Sequence, residues 1–212
     1  MGTRNLVAVY IDGEYKVAQY GQWDGYPDGQ GVTALEFLLL SDMEKFKEKV
    51  RLCRWVTQEE YEETWVSIGV DVKANNGWVD IETSYKHKEK YPEHSRDTGA
   101  GVLELIYTSE NGVALVNSID FAHDGLSCEW GYVIDFDKNT FEVFRGFSKE
   151  PLDVGERFYE GDAEYSDEQF AGRDYKYYGI RNIKTYQLDN LPSKEMFLSE
   201  LNVYECEHDD DE

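Results

Sequence analysis

Cysteine is scarce in this sequence. The three cysteines among 212 residues are Cys53, Cys128 and Cys206, and no two of them lie close together in the chain. An odd number of widely spaced cysteines argues against a disulfide framework and against a zinc knuckle, which needs paired ligands. We therefore expect no disulfide, no metal site and no cofactor, and we expect a reducing, cytoplasmic location.

Positive charge is also scarce. Lysine and arginine number 21 against 44 aspartates and glutamates, and the net charge is −23. Nucleic acids and anionic membrane surfaces are bound by clustered basic side chains, so the composition argues against both as direct partners. It permits a basic protein as a partner. One form of that hypothesis is an acidic inhibitor that mimics nucleic acid, and the alternative is a solvated surface that keeps the chain soluble.

Long apolar runs are missing. No run approaches the roughly 18 residues that span a membrane, and no basic-then-apolar signal segment opens the chain. Hydrophobic residues still make up 41% of the sequence and aromatic residues 15%, which is enough to form a buried core. We expect one soluble α+β domain over residues 1–204, followed by an acidic disordered tail over residues 205–212.

Helix signals occur in the first half of the chain and again near its end. Residues 32–40 are almost wholly apolar, Asp42 is a predicted N-cap, and Thr57 with Glu60 forms a predicted capping box. Asn111 and Gly112 signal a helix C-terminus. The predicted helices are residues 32–40, 43–55, 58–67, 102–108 and 192–201.

Strand signals alternate with period two. Asp12 and Gly13 form a predicted hairpin turn between two such stretches, and a meander follows in the second half. Residues 149–178 have no clean period, and we expect loops with short elements that lie over the sheet. The predicted strands are residues 5–11, 14–20, 113–121, 128–135, 140–147 and 183–188. The fold class is thus α+β, with an antiparallel sheet or sheets packed against three to five helices.

The loop of residues 20–31 is the candidate site. It contains four glycines, and its other residues offer an amide, an indole N–H, a carboxylate and a phenol. Glycine lets a ligand approach the backbone, and the N–H groups at a helix start favour an anion. We predict a site for a protein or a small anionic ligand, with these binding residues: Gln22, Trp23, Asp24, Tyr26, Gly29 and Gly31.

Two other groups of residues have weaker signals. His87 and His94 lack a metal-binding spacing, and we interpret them as exposed histidines of a loop or helix. Residues 86–90 around His87 form a basic patch. Cys128 follows His123 and Asp124 closely, which leaves a thiol nucleophile with a histidine base as a minor hypothesis.

Three short motifs carry a resemblance to a known group of proteins. They are the Gly-Thr-Arg start, the Y-x-x-x-D-x-Y-P pattern from Tyr20 to Pro27, and the later Tyr-Val-Ile-Asp strand. Together they resemble a family of uncharacterised proteins from phage, bacterial and fungal genomes. The resemblance covers about the first thirty residues and residues 128–147. It implies a phage-borne origin as one expectation and implies no activity.

The N-terminus is also similar to N-terminal-nucleophile hydrolases, in which two strands lead to a loop with an aspartate. That likeness implies a sandwich of helices and antiparallel sheets, with Thr3, Arg4 and Asp24 taking part in an amidotransferase-like reaction. The sequence departs from the pattern, because Gly2 has no side-chain nucleophile and Thr3 is exposed only if Gly2 is removed too. The leading hypothesis is therefore a non-catalytic binding protein that uses the loop, with the hydrolase and the acidic inhibitor as alternatives.

Overall fold

The computed structural model describes residues 2–70 and 79–206, with side chains as far as residue 202. Its α+β class is the one that the sequence predicts, but the described residues contain seven α-helices rather than three to five. In the described residues there are seven strands: β1 Asn5–Ile11, β2 Glu14–Gly21, β3 Arg54–Trp55, β4 Ala114–Leu115, β5 Trp130–Asp135, β6 Thr140–Arg145 and β7 Arg181–Gln187. The same residues contain seven helices: α1 Val32–Leu40, α2 Met43–Arg51, α3 Gln58–Val66, α4 Ile81–Lys90, α5 Val102–Thr108, α6 Asp162–Gln169 and α7 Lys194–Cys206.

The main sheet has five strands in the order β2-β1-β5-β6-β7. The pairing of β1 with β5 is parallel, with Val7 opposite Tyr132, whereas the other neighbours are antiparallel. The sheet is therefore mixed rather than wholly antiparallel. Strand β1 lies inside the sheet because its run from Leu6 to Val9 is apolar on both faces and completely buried, which is typical of a strand covered on both sides.

Capping places the helices where the sequence predicts them. The Asp42 carboxylate accepts a hydrogen bond from the backbone N–H of Lys45 at 3.1 Å, and Thr57 and Glu60 form a complete capping box. Helices α1 and α5 have the predicted bounds. Helix α2 ends at Arg51, four residues early, because Arg54 and Trp55 pair with β4 instead.

Each face of the sheet has its own core. On one face, alternate strand residues such as Val7 and Val9 pack under helices α1, α2, α5 and α7. On the other face, Leu6 and Ala8 pack with Leu152 and Phe158 from the segment after β6. The prediction that residues 149–178 lie over the sheet is therefore confirmed for these side chains, and α6 is the short helix within that cover.

A buried charged cluster ties this cover to the sheet. The Nε of Arg157 donates to the Glu142 carboxylate at 2.6 Å, and its Nη2 donates to Asp135. Its Nη1 also donates to the phenol oxygen of Tyr15 at 3.4 Å. Because all four side chains come from different segments, Arg157 fastens the covering segment to β2, β5 and β6.

Two further predicted elements differ from the structure. Residues 113–121 are not one strand, because after β4 the Asn117 side chain accepts from the Ile119 N–H at 3.1 Å and a 3₁₀ turn, Ile119–His123, follows. Helix α7 continues to Cys206, so the first two residues of the predicted tail are helical. The remaining tail, residues 207–212, and nearly all of the loop predicted at residues 70–77 lie outside the described residues.

Candidate functional site

The Gly-rich loop folds back on itself. Pro27–Gly31 forms one turn of π-helix, in which the N–H groups of Gly29 and Gly31 donate to the Tyr26 carbonyl at 3.0 and 3.4 Å. The Gln30 N–H donates to the Asp24 carbonyl at 2.8 Å. The sequence assigned an anion to the first N–H groups of α1, and the first of them, that of Val32, donates to the Gly29 and Pro27 carbonyls. These four N–H groups are therefore occupied within the loop.

Close backbone packing explains the glycines of the loop. A Cβ at Gly29 would lie 2.2 Å from the Asp24 carbonyl oxygen, and one at Gly25 would lie 2.8 Å from that of Thr3. A Cβ at Gly31 would lie 2.9 Å from the ring of Tyr132. Real Cβ atoms do not approach carbonyl oxygens this closely, so the glycines serve the fold of the loop itself.

The proposed catalytic residues Thr3, Arg4 and Asp24 meet the loop mainly through backbone atoms. Thr3 is only 7% exposed, and its carbonyl accepts from the Gly25 N–H at 2.9 Å. The Arg4 N–H donates to the Glu129 carboxylate at 3.2 Å. Asp24 is exposed and has a positive φ of 56°. Among the described residues, no hydrogen bond or ion pair joins the side chains of these three.

A cleft of about 700 Å³ opens beside the loop, on the side of Trp23. It lies between the loop, helices α3 and α4, and the segment that follows the 3₁₀ turn Pro92–His94. The residues that line it are Trp23, Tyr61, Trp65, Val79, Asp80, Ile81, Ser84, Tyr85, His87, His94, Ser95, Arg96 and Asp97.

The aromatic part of the cleft is a stack of rings. The His87 imidazole lies on the Trp65 indole with the ring centroids 3.7 Å apart and the planes 6° from parallel. Tyr61 meets His87 and His94 edge-on at 6.3 and 5.6 Å. His87 is only 2% exposed, so the expectation of an exposed histidine is wrong. The N-cap Asp80 starts α4, and the helix turns His87 inward towards α3.

Hydrogen bonds define the tautomer of His87. The Thr64 hydroxyl donates to the Tyr61 carbonyl at 2.6 Å and therefore accepts at 2.7 Å from Nε2–H of His87. Burial, and then the nearby His94, lower the pKa of His87 to about 4. The ring is neutral near pH 7 and presents an acceptor at Nδ1.

Trp23 forms the wall of the cleft next to the loop and is 46% exposed. Its indole N–H donates to Asp97 at 3.0 Å, and the other oxygen of that carboxylate accepts from Lys88 at 3.4 Å. Gly2 also packs closely against the indole ring, since a Cβ at this position would lie 2.1 Å from it. The indole is thus fixed in orientation and still open to the cleft.

The remaining predicted binding residues have other roles. The Gln22 N–H donates to the Arg96 carbonyl at 2.8 Å, and its side-chain oxygen accepts from the Tyr20 hydroxyl at 2.6 Å. Asp24 and Tyr26 are exposed but do not line the cleft. Of the six residues predicted to bind, the structure therefore places Trp23 in the cleft wall, and Gln22 is bonded to Arg96, which also lines the cleft.

The suggested thiol nucleophile is not supported by the geometry. Cys128 is completely buried, and burial, then Asp124 and Glu129, raise the pKa of its thiol well above the ordinary value. Its Sγ lies 3.5 Å from the Trp130 carbonyl. His123 faces Asp162 instead, with Nδ1 3.6 Å from the carboxylate. A thiol that resists ionisation is a poor nucleophile.

Sequence reasoning missed most of the cleft, including Tyr61, Trp65, His87, Arg96 and Asp97. One signal was present, since Tyr61 and Trp65 are four residues apart and share a face of α3. The basic patch of residues 86–90 supplied a second. Nothing in the spacing of the chain indicated that both would lie beside Trp23.

Among the described residues, no group of three or more histidine, cysteine, aspartate or glutamate side chains is placed to hold a metal ion. Within the same residues, every helix is too short or too polar to cross a membrane. Comparison of the chain with models of protein families, with curated proteins and with solved structures found no match.

Proposed function

We propose that this protein is a non-catalytic binding protein for a small ligand and that its site is the cleft between the loop, α3 and α4. The observation that carries the proposal is the Trp23 indole, which is oriented by Asp97 and remains half-exposed in the cleft wall. The Gly-rich loop contributes this side chain to the site. Its glycine amides serve the loop.

The cleft has the properties of a small-molecule site. Its volume of about 700 Å³ lies within the range of roughly 300–1,000 Å³ that is typical for such sites. Aromatic rings line it, and a few polar groups converge on it, among them Ser84, His87 and Arg96. A cleft with apolar walls and few polar groups buries much of a ligand and fixes its orientation.

Nuclear magnetic resonance (NMR) of the tryptophan side chains tests the proposal. The chain has five tryptophans, so its ¹⁵N–¹H spectrum contains five indole signals, which single Trp→Phe variants assign. We expect compounds from a chemically mixed library to move the signals of Trp23 and Trp65 together. Trp130 is buried in the core and should not respond.

Two variants sharpen this measurement. Trp23→Ala should abolish the response of Trp65, whereas Tyr175→Ala should preserve it, because Tyr175 is equally exposed at 46% but does not line the cleft. If no compound moves the two signals, or if Trp130 always moves with them, the cleft is not the binding site.

The other hypotheses stay predictions, and each has its own test. The hydrolase that uses Thr3, Arg4 and Asp24 requires loss of both Met1 and Gly2, which the intact mass of the purified protein would reveal. The acidic inhibitor requires a basic protein partner whose binding weakens steeply with salt.

A further inference from the structure

We infer that the ligand of this cleft is a planar aromatic ring that carries an anionic group, of the size and chemistry of a mononucleotide. The inference rests on the proposed function, because it names the class of ligand for the same site. Three features of the cleft support it: an open stacking surface, an uncommitted positive charge and a neutral acceptor.

The stacking surface is the Trp23 indole. Gly2 lies against the ring, and the bond to Asp97 fixes the indole N–H. The rings of Trp65 and His87 are already stacked on each other and form a rigid wall next to Trp23. A half-exposed indole that is held in one orientation suits a flat ring, since bases and aromatic side chains stack on one another.

Arg96 supplies the one positive charge among the described residues that line the cleft. The Asp97 oxygens bind Trp23 and Lys88, and the Asp80 oxygens bind the N–H and hydroxyl groups of Thr83 in the N-cap of α4. Lys88 offsets the charge of Asp97, whereas the partners of Asp80 are neutral and leave its carboxylate negative, so the anionic group of the ligand binds at Arg96 and away from Asp80. Arg96 is exposed and has no ion pair or side-chain hydrogen bond within the described part of the chain. Its planar guanidinium matches the geometry of a phosphate.

The acceptor is Nδ1 of His87. The proton of the neutral ring is on Nε2, which donates to Thr64, and no described group pairs with Nδ1. The ring lines the cleft beside Trp65. Nucleobases carry N–H groups at their edges, so the site offers a partner for the ring of the ligand as well as for its phosphate.

The charge of the whole chain selects a small ligand over a polymer. A single phosphate carries about −1.5 to −2 charges at pH 7, whereas the backbone of a nucleic acid would bring many charges towards a protein of net charge −23. The attraction between Arg96 and a single phosphate has to outweigh only the repulsion between that phosphate and the acidic chain. This repulsion is smaller than the one that a nucleic-acid backbone would experience. A mononucleotide can therefore bind in the cleft without a basic surface around the cleft.

Titration of the indole signals with four defined compounds tests the inference. Adenosine monophosphate and uridine monophosphate combine ring and phosphate, adenosine has only the ring, and ribose 5-phosphate has only the phosphate. We expect both nucleotides to move the signals of Trp23 and Trp65 to saturation. Each of the two partial compounds should bind about tenfold more weakly or worse, since each lacks one of the two contacts.

Matched variants separate the ring from the phosphate. Arg96→Gln should weaken binding of the nucleotides by about tenfold and leave adenosine within about twofold, whereas Trp23→Ala should weaken both. Arg173→Gln removes the same charge from an exposed position that does not line the cleft and should change nothing. The signals of the remaining residues verify that each variant is folded.

Three results would overturn the inference. If the nucleotides leave Trp23 unmoved while other library compounds move it, the ligand class is wrong and the proposed function stands. If no compound of any kind moves it, both fail together. If Arg96→Gln weakens adenosine as much as the nucleotides, the arginine does not bind a phosphate, and the anionic part of the inference is wrong.

Discussion

The imidazole of His87 lies flat on the indole of Trp65, 3.7 Å from ring to ring, and its Nε2–H is bound to Thr64. This arrangement joins α4 to α3 and forms the inner wall of the cleft. It requires an uncharged imidazole, because burial without an anionic partner disfavours the protonated form. The contact between α3 and α4 should therefore weaken when the pH is lowered.

Acid should weaken the fold through His87. Its pKa is lowered from 6.5 to about 4 in the folded protein. Above pH 6.5 neither state of the protein binds the proton, and between pH 6.5 and 4 mainly the unfolded state does, so stability falls as the pH falls. His87→Phe keeps a ring but cannot titrate. Urea unfolding should show wild type losing up to about 3 kcal/mol relative to this variant from pH 7.5 to 4. A difference that stays constant over this range would contradict the assignment.

Loss of Arg157 should destabilise the protein strongly. Its side chain is only 8% exposed and lies between Asp135 and Glu142. Arg157→Met would leave two buried carboxylates without a positive partner, which we expect to cost about 3–5 kcal/mol in the free energy of unfolding. Arg51 pairs with Asp12 in the open, so Arg51→Met should cost less than about 1 kcal/mol. Equal losses for the two variants would mean that the buried cluster has no special role.

The glycines of the loop can be tested in the same way. Gly29→Ala places a Cβ 2.2 Å from the Asp24 carbonyl oxygen, so the loop must shift. We expect a loss of about 1–3 kcal/mol, measured by urea unfolding. Gly101 is the control, since its Cβ would meet only Thr98 at 3.8 Å and its φ is −59°. Gly101→Ala should be neutral or stabilising. A harmless Gly29→Ala would show that close packing is not why the loop is rich in glycine.

The capping box of α3 should stabilise the helix that carries Tyr61 and Trp65. Thr57 Oγ1 accepts from the Glu60 N–H at 3.2 Å, and the Glu60 carboxylate accepts from the Thr57 N–H at 2.9 Å. Thr57→Ala should cost about 1 kcal/mol in the free energy of unfolding. Thr108→Ala, at an exposed position in the last turn of α5, should stay within about 0.5 kcal/mol. If both variants lose the same free energy of unfolding, the capping box does not specifically stabilise α3.

Local chemistry accounts for the elements that were predicted well. The turn at Asp12 and Gly13, the N-cap at Asp42 and the capping box at Thr57 each depend on residues within a few positions of one another. Such signals can be recognised in one sequence, because the interacting groups are neighbours in the chain. The apolar stretch of residues 32–40 predicted α1 for the same reason.

The site was predicted less well because its contacts are distant in the chain. Trp23 and Asp97 are 74 residues apart, and Thr64 and His87 are 23 apart. The sequence showed an unusual loop at residues 20–31 and assigned ligand binding to six of its residues, Trp23 among them. Only the structure shows the Gly29 and Gly31 amides bonded inside the loop and the Trp23 side chain turned towards α3 and α4.

By itself the sequence determined the α+β class, the starts of most helices and an acidic, aromatic-rich chain, because these follow from composition, periodicity and short-range hydrogen bonds. The tertiary structure decided the parallel pairing of β1 with β5, the burial of His87 and the position of the cleft. These depend on which distant segments meet, and that choice is made by the packing of whole faces against one another rather than by any local motif.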